Sequence, residues 1–182
     1  GVQTCALPIL VDFLYIPKFK DIYNNNKKSN IKITKKDKIL CAKFRKGHFE
    51  GVLDVMGRLT NLVNPKKIFM GKKDYQQYFL IKKYLKNKYK TSIIPCKTIR
   101  NKSKIALSSR NNHLDLDGIK KASFLCKSLI KLKRNLTNSK KIKQNLRIKM
   151  KNLEKLLKIE IEYLELRSIK NLKISNTVRG SR

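Results

Sequence analysis

The chain has 182 residues and a mass of 21.3 kDa, room for one ordinary domain or two small ones, and its 41% hydrophobic content can build a core, which excludes wholesale disorder. Its formal charge of +33 points towards a polyanion, yet lysine supplies 36 of the 45 positive charges, and lysine reads phosphates and base edges less selectively than arginine. Lys, Ile and Asn make up 72 of the 182 residues, all with A- and T-rich codons, so base bias in the gene accounts for the composition better than nucleic-acid binding does. No apolar run approaches the roughly 18 residues needed to cross a bilayer, which excludes a membrane-spanning helix.

Residues Gly1–Ile9 (GVQTCALPI) contain no Lys and no Asn and translate a common sequencing-library adapter, so they read as a non-native scar to be set aside. On that reading the native chain starts near Leu10, without an initiator Met, and the natural protein extends further upstream. Leu10–Ile16 (LVDFLYI), closed by Pro17, has the pattern of a buried parallel strand. Asn24–Asn30 is a polar loop, and Ile31–Thr34 alternates like a short strand. From Gly51, the apolar residues Val52, Val55, Met56, Leu59 and Leu62 recur at three- and four-residue steps, predicting a helix that stops near Asn64-Pro65.

Ile68–Met70 is then a short strand ending at Gly71, followed by a helix from Tyr75 to about Tyr89 with Asp74 as its cap, and by a strand at Ser92–Ile94. Strands alternating with helices predict a parallel α/β sheet with right-handed crossovers. Beyond Lys97 the pattern changes to a loop over Ser103–Asn112, helices over about Asp115–Arg134 and Asn138–Lys158, and a strand at Tyr163–Arg167.

Cys5 falls within the scar, and Cys41, Cys96 and Cys126 lie far apart without C-x-x-C spacing, which fits a reducing, cytoplasmic setting. Neither His48 nor His113 has a second ligand at finger-like spacing, so no structural zinc site is expected.

Three segments carry chemistry. Gly71-Lys72-Lys73-Asp74-Tyr75-Gln76-Gln77 joins a glycine, two cations and a carboxylate at a helix start, where backbone N–H groups and a lysine can hold phosphate. Ala106-Leu107-Ser108-Ser109-Arg110-Asn111 sets two hydroxyls beside a guanidinium, a set able to grip a triphosphate or a leaving pyrophosphate. Arg45–Val52 (RKGHFEGV) places His48 between two glycines just before a helix, where a capping or packing role suits it better than catalysis.

With Asn61–Pro65 (NLVNP), these blocks, RKGHFEGV, GKKDYQQ and ALSSRN, resemble in order and spacing the middle and C-terminal parts of the pantoate–β-alanine ligase family, and Val11–Tyr23 resembles the strand and turn before them. The resemblance runs from about residue 10 to 182. It implies a fold of the α/β class: over 10–96 the C-terminal half of a Rossmann-like nucleotidyltransferase domain binding ATP and pantoate, and over 97–182 a smaller α+β lid. It also implies a reaction in which ATP and Mg²⁺ convert pantoate to an acyl adenylate that the amine of β-alanine then opens.

Carried over residue by residue, the resemblance puts Gly71, Lys72, Lys73, Asp74, Ile99, Leu107, Ser108, Ser109 and Arg110 on ATP. Lys73, Ser108, Ser109 and Arg110 stabilise the phosphates, Asp74 suits the ribose hydroxyls and the backbone of Ile99 meets adenine. Gln77, Val52 and Val55 fall on pantoate, and no metal ligand is assigned. Three positions depart from the family pattern: Lys72 replaces a glutamate, Lys46 a proline, and Ser103-Lys104 an Asp-Gly pair. The family's upstream HxGH motif has no counterpart, and its last strand lies beyond Arg182, so the resemblance implies an inactive fragment of a cytoplasmic, homodimeric enzyme. Two rivals remain at this level: a lysine-rich RNA-binding module using the helices after Asp115, and another adenylate-forming ligase.

Overall fold

A computed structural model describes residues 12–23, 31–86, 88–136 and 141–181. The chain divides into two compact units, Gly1–Cys96 and Lys97–Arg182. Gly1–Ile9, Leu10–Val11, the loop expected at Asn24–Asn30 and the helix start expected at Asn138 lie outside the described residues.

The first unit contains α1 (Phe19–Ile22), α2 (Cys41–Phe44), α3 (His48–Val63), β1 (Lys67–Gly71), α4 (Tyr75–Leu85) and β2 (Ser92–Cys96). β1 and β2 pair in parallel, with Lys67 opposite Ser92 and Gly71 opposite Cys96, and α4 is the crossover between them. This is the predicted βαβ unit. The second strand runs past Ile94 through Pro95. Ser92 donates its N–H to Lys66 O, so strand alternation turns the nitrogen of Pro95 to the outer edge, where no ladder bond is lost.

One core fills this unit: Ile33, Ala42, Phe49, Leu53, Tyr78, Leu80, Ile81, Leu85 and Ile93. In α3 the buried line is Phe49, Leu53, Gly57 and Thr60, whereas Val52, Val55, Met56 and Leu59 are half-buried and Leu62 is exposed. The stripe expected from the apolar residues alone is therefore rotated. Two contacts account for it: Gly57 lets the Tyr89 ring close, with Tyr89 Oη donating to Gly57 O at 2.9 Å, and the Thr60 hydroxyl donates to Met56 O at 2.6 Å, which lets a polar residue be buried. The helix stops where expected, with Asn64 in the left-handed region at φ 47°.

Several expectations fail. Residues 12–16 form no strand and their apolar side chains are exposed, Phe13 at 91%, because no strand among the described residues lies alongside to complete a ladder. Residues 31–34 are not a strand; the Thr34 N–H goes to Tyr84 Oη at 2.9 Å. α4 ends at Leu85 rather than near Tyr89, since Lys88 and Tyr89 both donate their N–H to Leu85 O and close the chain into a turn.

The segment 34–40 is strapped to α4 by a buried carboxylate. Asp37, 6% exposed, accepts from Thr34 Oγ1 at 2.7 Å, Lys83 Nζ at 2.8 Å and Tyr84 Oη at 2.7 Å. Burial alone raises the carboxyl's pKa, but the hydrogen bonds from Lys83, Tyr84 and Thr34 and the lysine's charge outweigh it and hold Asp37 below its ordinary 3.8.

The second unit holds α5 (Leu116–Asn135) and α6 (Ile142–Leu157). The Asp115 carboxylate caps α5 by accepting from Gly118 N at 2.6 Å. Ile142, Leu146, Leu153 and Leu157 form the buried line of α6, joined among the buried residues of this unit by Ile105 and Leu172. Tyr163–Arg167 is not a strand: it contributes one isolated bridge, Arg167 to Ile174. The short return through Leu172, at φ 56°, lets the Arg167 guanidinium donate to Leu172 O and reach Glu165 Oε2, both at 2.6 Å, so side-chain bonds replace a ladder.

Because the folded carboxyl of Asp37 titrates below its unfolded value, its stabilisation is present above pH 3.8 and is lost as pH falls through the lower folded pKa. Lys83 is 44% exposed, so solvent screening moderates the pair. Asp37→Asn is expected to cost about 1–3 kcal/mol at pH 7, with the gap to wild type shrinking below pH 4 in urea titrations; a gap that stays constant to pH 3 contradicts this.

Candidate functional site

The first candidate segment starts where β1 ends. Gly71 closes the strand opposite Cys96, and an added Cβ there meets nothing within 4 Å. Its φ of −66° is open to any residue, so space, not conformation, distinguishes the position. Lys72–Asp74 then make one 3-10 turn leading directly into α4. The turn stands at the carboxyl end of a parallel strand pair, where open α/β sheets take their ligands.

Lys73 and Asp74 are exposed, their side chains 3.3 Å apart as an ion pair. Asp74 does not cap α4 as expected: it stands at the N-cap position, with φ −100° and ψ 59°, without a side-chain cap bond. Those dihedrals lie outside the extended region that aims a capping carboxylate at the first-turn N–H groups. Lys72 and Gln77 are half-buried.

His48 opens α3. It neither caps the helix nor packs into the core: the residue is exposed and its ring lies edge-on to Phe49 at 5.0 Å. The N-cap is Gly47, at φ 76° in the left-handed region. Val52 and Val55 follow on the same helix, half-buried.

In the second unit the chain folds back on itself between Ile99 and Leu107. Leu107 donates its N–H to Ile99 O at 3.0 Å, Arg100 bridges Ala106, and buried Ile105 anchors the turn. The tip passes through Lys104 at φ 69°, and Asn101 satisfies the Ile105 N–H with its side chain at 3.0 Å. Ile99 and Leu107 are thereby neighbours although eight positions apart.

The following 3-10 turn, Ser109–His113, begins at Ser108, whose hydroxyl accepts from Arg110 N at 3.3 Å. Asn111 Nδ2 donates back to Ala106 O at 3.0 Å. This loop presents exposed Ser109 and Arg110, and among the described residues the guanidinium has no protein partner. The structure thus groups Gly71–Asp74 with Gln77 in the first unit, and Ile99 with Leu107–Arg110 in the second.

Two features escape a reading of spacing alone. Gln76 is buried, 7% exposed, and so is Asp37. The available signal was that Gln76 stands one turn before Leu80 on the apolar side of α4. Among the described residues no cluster of three or more His, Cys, Asp or Glu is placed to hold a metal ion, and no helix is long and apolar enough to cross a membrane.

A family model described as pantoate-beta-alanine ligase matches residues 3–181. A pantothenate synthetase from Caldicellulosiruptor saccharolyticus is 34% identical over 163 residues, which are 85% of this chain and 56% of that protein. One from Sulfurihydrogenibium is 31% identical over 176 residues, 94% of this chain and 62% of the relative. The chain therefore spans a little over half the length of these relatives.

Among solved structures, pantothenate synthetase from Thermus thermophilus superposes with a TM-score of 0.77 at 24% identity, over 92% of this chain and 61% of that one; at that identity the likeness concerns the fold. Pantoate-beta-alanine ligase from Francisella tularensis, solved with beta-gamma ATP and beta-alanine, superposes with a TM-score of 0.62 at 34% identity, over 75% and 49% of the two chains.

The glycines flanking His48 predict opposite effects. Gly47→Ala forces an L-residue into the left-handed region and should destabilise by about 1–2 kcal/mol, whereas Gly51, inside α3 with open space around it, should tolerate alanine with a gain of about 0.4–1 kcal/mol. Chemical denaturation checks the signs; equal effects at both positions contradict the assignment.

Proposed function

The chain belongs to the pantoate–β-alanine ligase family, and we propose that the whole protein joins pantoate to β-alanine at the expense of ATP, releasing AMP and pyrophosphate. The observation that carries this reading is the end of β1: Gly71 faces open space beside the partner strand's end and leads straight into exposed Lys73 and Asp74.

A free carboxylate is a poor acyl donor because its leaving group would be oxide. In the proposed first step a carboxylate oxygen of pantoate attacks the α-phosphorus of ATP, forming an acyl adenylate as the bond to pyrophosphate breaks. In the second, the amine of β-alanine attacks the acyl carbon, loses a proton, and AMP leaves with the electron pair of the broken C–O bond.

The chain's own residues bind and orient in this scheme. Lys73 holds a phosphate as a point charge, and Lys72, where the family pattern has glutamate, adds a second positive charge beside it. Asp74 receives the ribose hydroxyls, and Ile99 offers its backbone to adenine. Ser108, Ser109 and Arg110 follow the charge that develops on pyrophosphate, with the planar guanidinium suited to two oxygens at once. Gln77 donates to pantoate, with Val52 and Val55 against its apolar part. Mg²⁺ would accompany ATP on its phosphates; among the described residues no cluster of three or more His, Cys, Asp or Glu is placed to hold a metal ion. The protein would work in the cytoplasm as a homodimer.

AMP release by the product of the complete reading frame tests the proposal. Release should require both pantoate and β-alanine, and Lys73→Ala or Arg110→Ala should each lower kcat/KM by roughly 10²–10³-fold. No AMP above background overturns the reading, and release that ignores pantoate transfers it to another carboxylic acid.

A further inference from the structure

We propose that Gln76 is a positioning residue for this reaction, holding the first turn of α4, and with it Lys73 and Gln77, against the strap of residues 34–40. The inference rests on the function proposed above.

A helix start leaves its first N–H groups without partners inside the helix and tends to fray unless something outside fixes it. In α4 the usual device is missing, since the Asp74 carboxylate makes no cap bond. Gln76, the second residue of the helix and 7% exposed, takes its place by another route. Its Nε2 donates to Ile39 O at 2.6 Å, with a longer contact to Asp37 O at 3.4 Å. The tie joins the helix start to backbone, which cannot swing away as a side chain can.

The strap is held at a second point two turns along the same helix, where Lys83 and Tyr84 reach the Asp37 carboxylate. Leu80, Ile81 and Leu85, buried in the core, fix the body of α4; the two ties stand eight residues apart at Gln76 and Tyr84, so only the Gln76 tie acts on the first turn. Gln77 follows Gln76 about 100° round the helix, so the direction of one side chain sets that of the other. The 3-10 turn carrying Lys73 runs into the same first turn without an intervening linker.

Packing alone does not explain a glutamine here. Gln76 Oε1 is buried without a hydrogen-bond partner among the described residues, a cost that methionine, of equal length, would avoid. The amide gains over methionine only its donor, and the donor is spent on the strap. A buried side chain that carries an orphaned acceptor while its donor holds the strap serves geometry over stability.

Gln76→Met removes the donor and keeps the volume. Lys83→Met, which loosens the other tie, serves as the control for a merely structural role. In this chain, hydrogen exchange at the Tyr78 and Phe79 amides, which close the first turn, should quicken at least tenfold in Gln76→Met and much less in Lys83→Met at matched global stability. In the complete enzyme, Gln76→Met should raise KM for the carboxylic acid at least tenfold with kcat changed less than threefold, while Lys83→Met leaves that KM alone. Unchanged exchange, an unchanged KM, or equal effects of the two variants overturns the proposal. If the wild-type enzyme releases no AMP, the function itself fails, and the exchange result separately decides whether Gln76 holds this turn.

Discussion

Burial of one side of α4 is the constraint on which the geometry of the first unit depends. Leu80, Ile81 and Leu85 are almost wholly withdrawn from water in the same cluster as Leu53 and Phe49 of α3 and Ile93 of β2. Each such side chain contributes roughly 1.5–3 kcal/mol on burial, and the helix that carries them is rigid over its length. Fixing its apolar side therefore fixes where its N-terminal turn emerges from the sheet. The Gly71–Asp74 segment stands at that place because β1 ends there and α4 can start nowhere else without exposing its core face.

Polar groups refine what the apolar core sets. The chain carries 12 acidic residues against 45 basic ones, so a buried carboxylate is a scarce resource with many available partners. Asp37 takes one cation, Lys83, together with the hydroxyls of Thr34 and Tyr84. Arg58 does similar work on the opposite side of α3: it pairs with Asp54 at 2.8 Å, donates to Ile22 O at 3.3 Å and lies over the Tyr23 ring at 4.7 Å, tying α1 to the helix. Most of the other described lysines are exposed.

The second unit reaches order by different means. Where the first has a parallel ladder, the second relies on single bridges, side-chain caps and tight returns at Lys104, Lys158 and Leu172, all at positive φ. Such turns are carried by local hydrogen bonds: Asn101 to the Ile105 N–H, Asn111 to Ala106 O, Arg167 to Leu172 O. They hold Ile99 beside Leu107 and leave Ser109 and Arg110 exposed. The loop is thus stiffened at its base and open at its tip.

The amino-acid sequence by itself determined the βαβ unit, the stop of α3 and the four motif blocks that place the chain in its family, because hydrophobic periodicity and a Pro or Asn stop act over a few residues. Tertiary structure alone decided that Leu10–Ile16 and Tyr163–Arg167, apolar enough for strands, are not strands over their described residues: a ladder needs a neighbour, and a neighbour is not a local property. It decided the rotation of the buried line in α3, where Tyr89 closes on Gly57, and the inward turn of Gln76 and Asp37, whose partners lie 37 to 47 positions away. Long-range hydrogen bonds of that kind leave no period in a sequence, and they determine which of two adjacent glutamines is buried and which stands half-open to solvent.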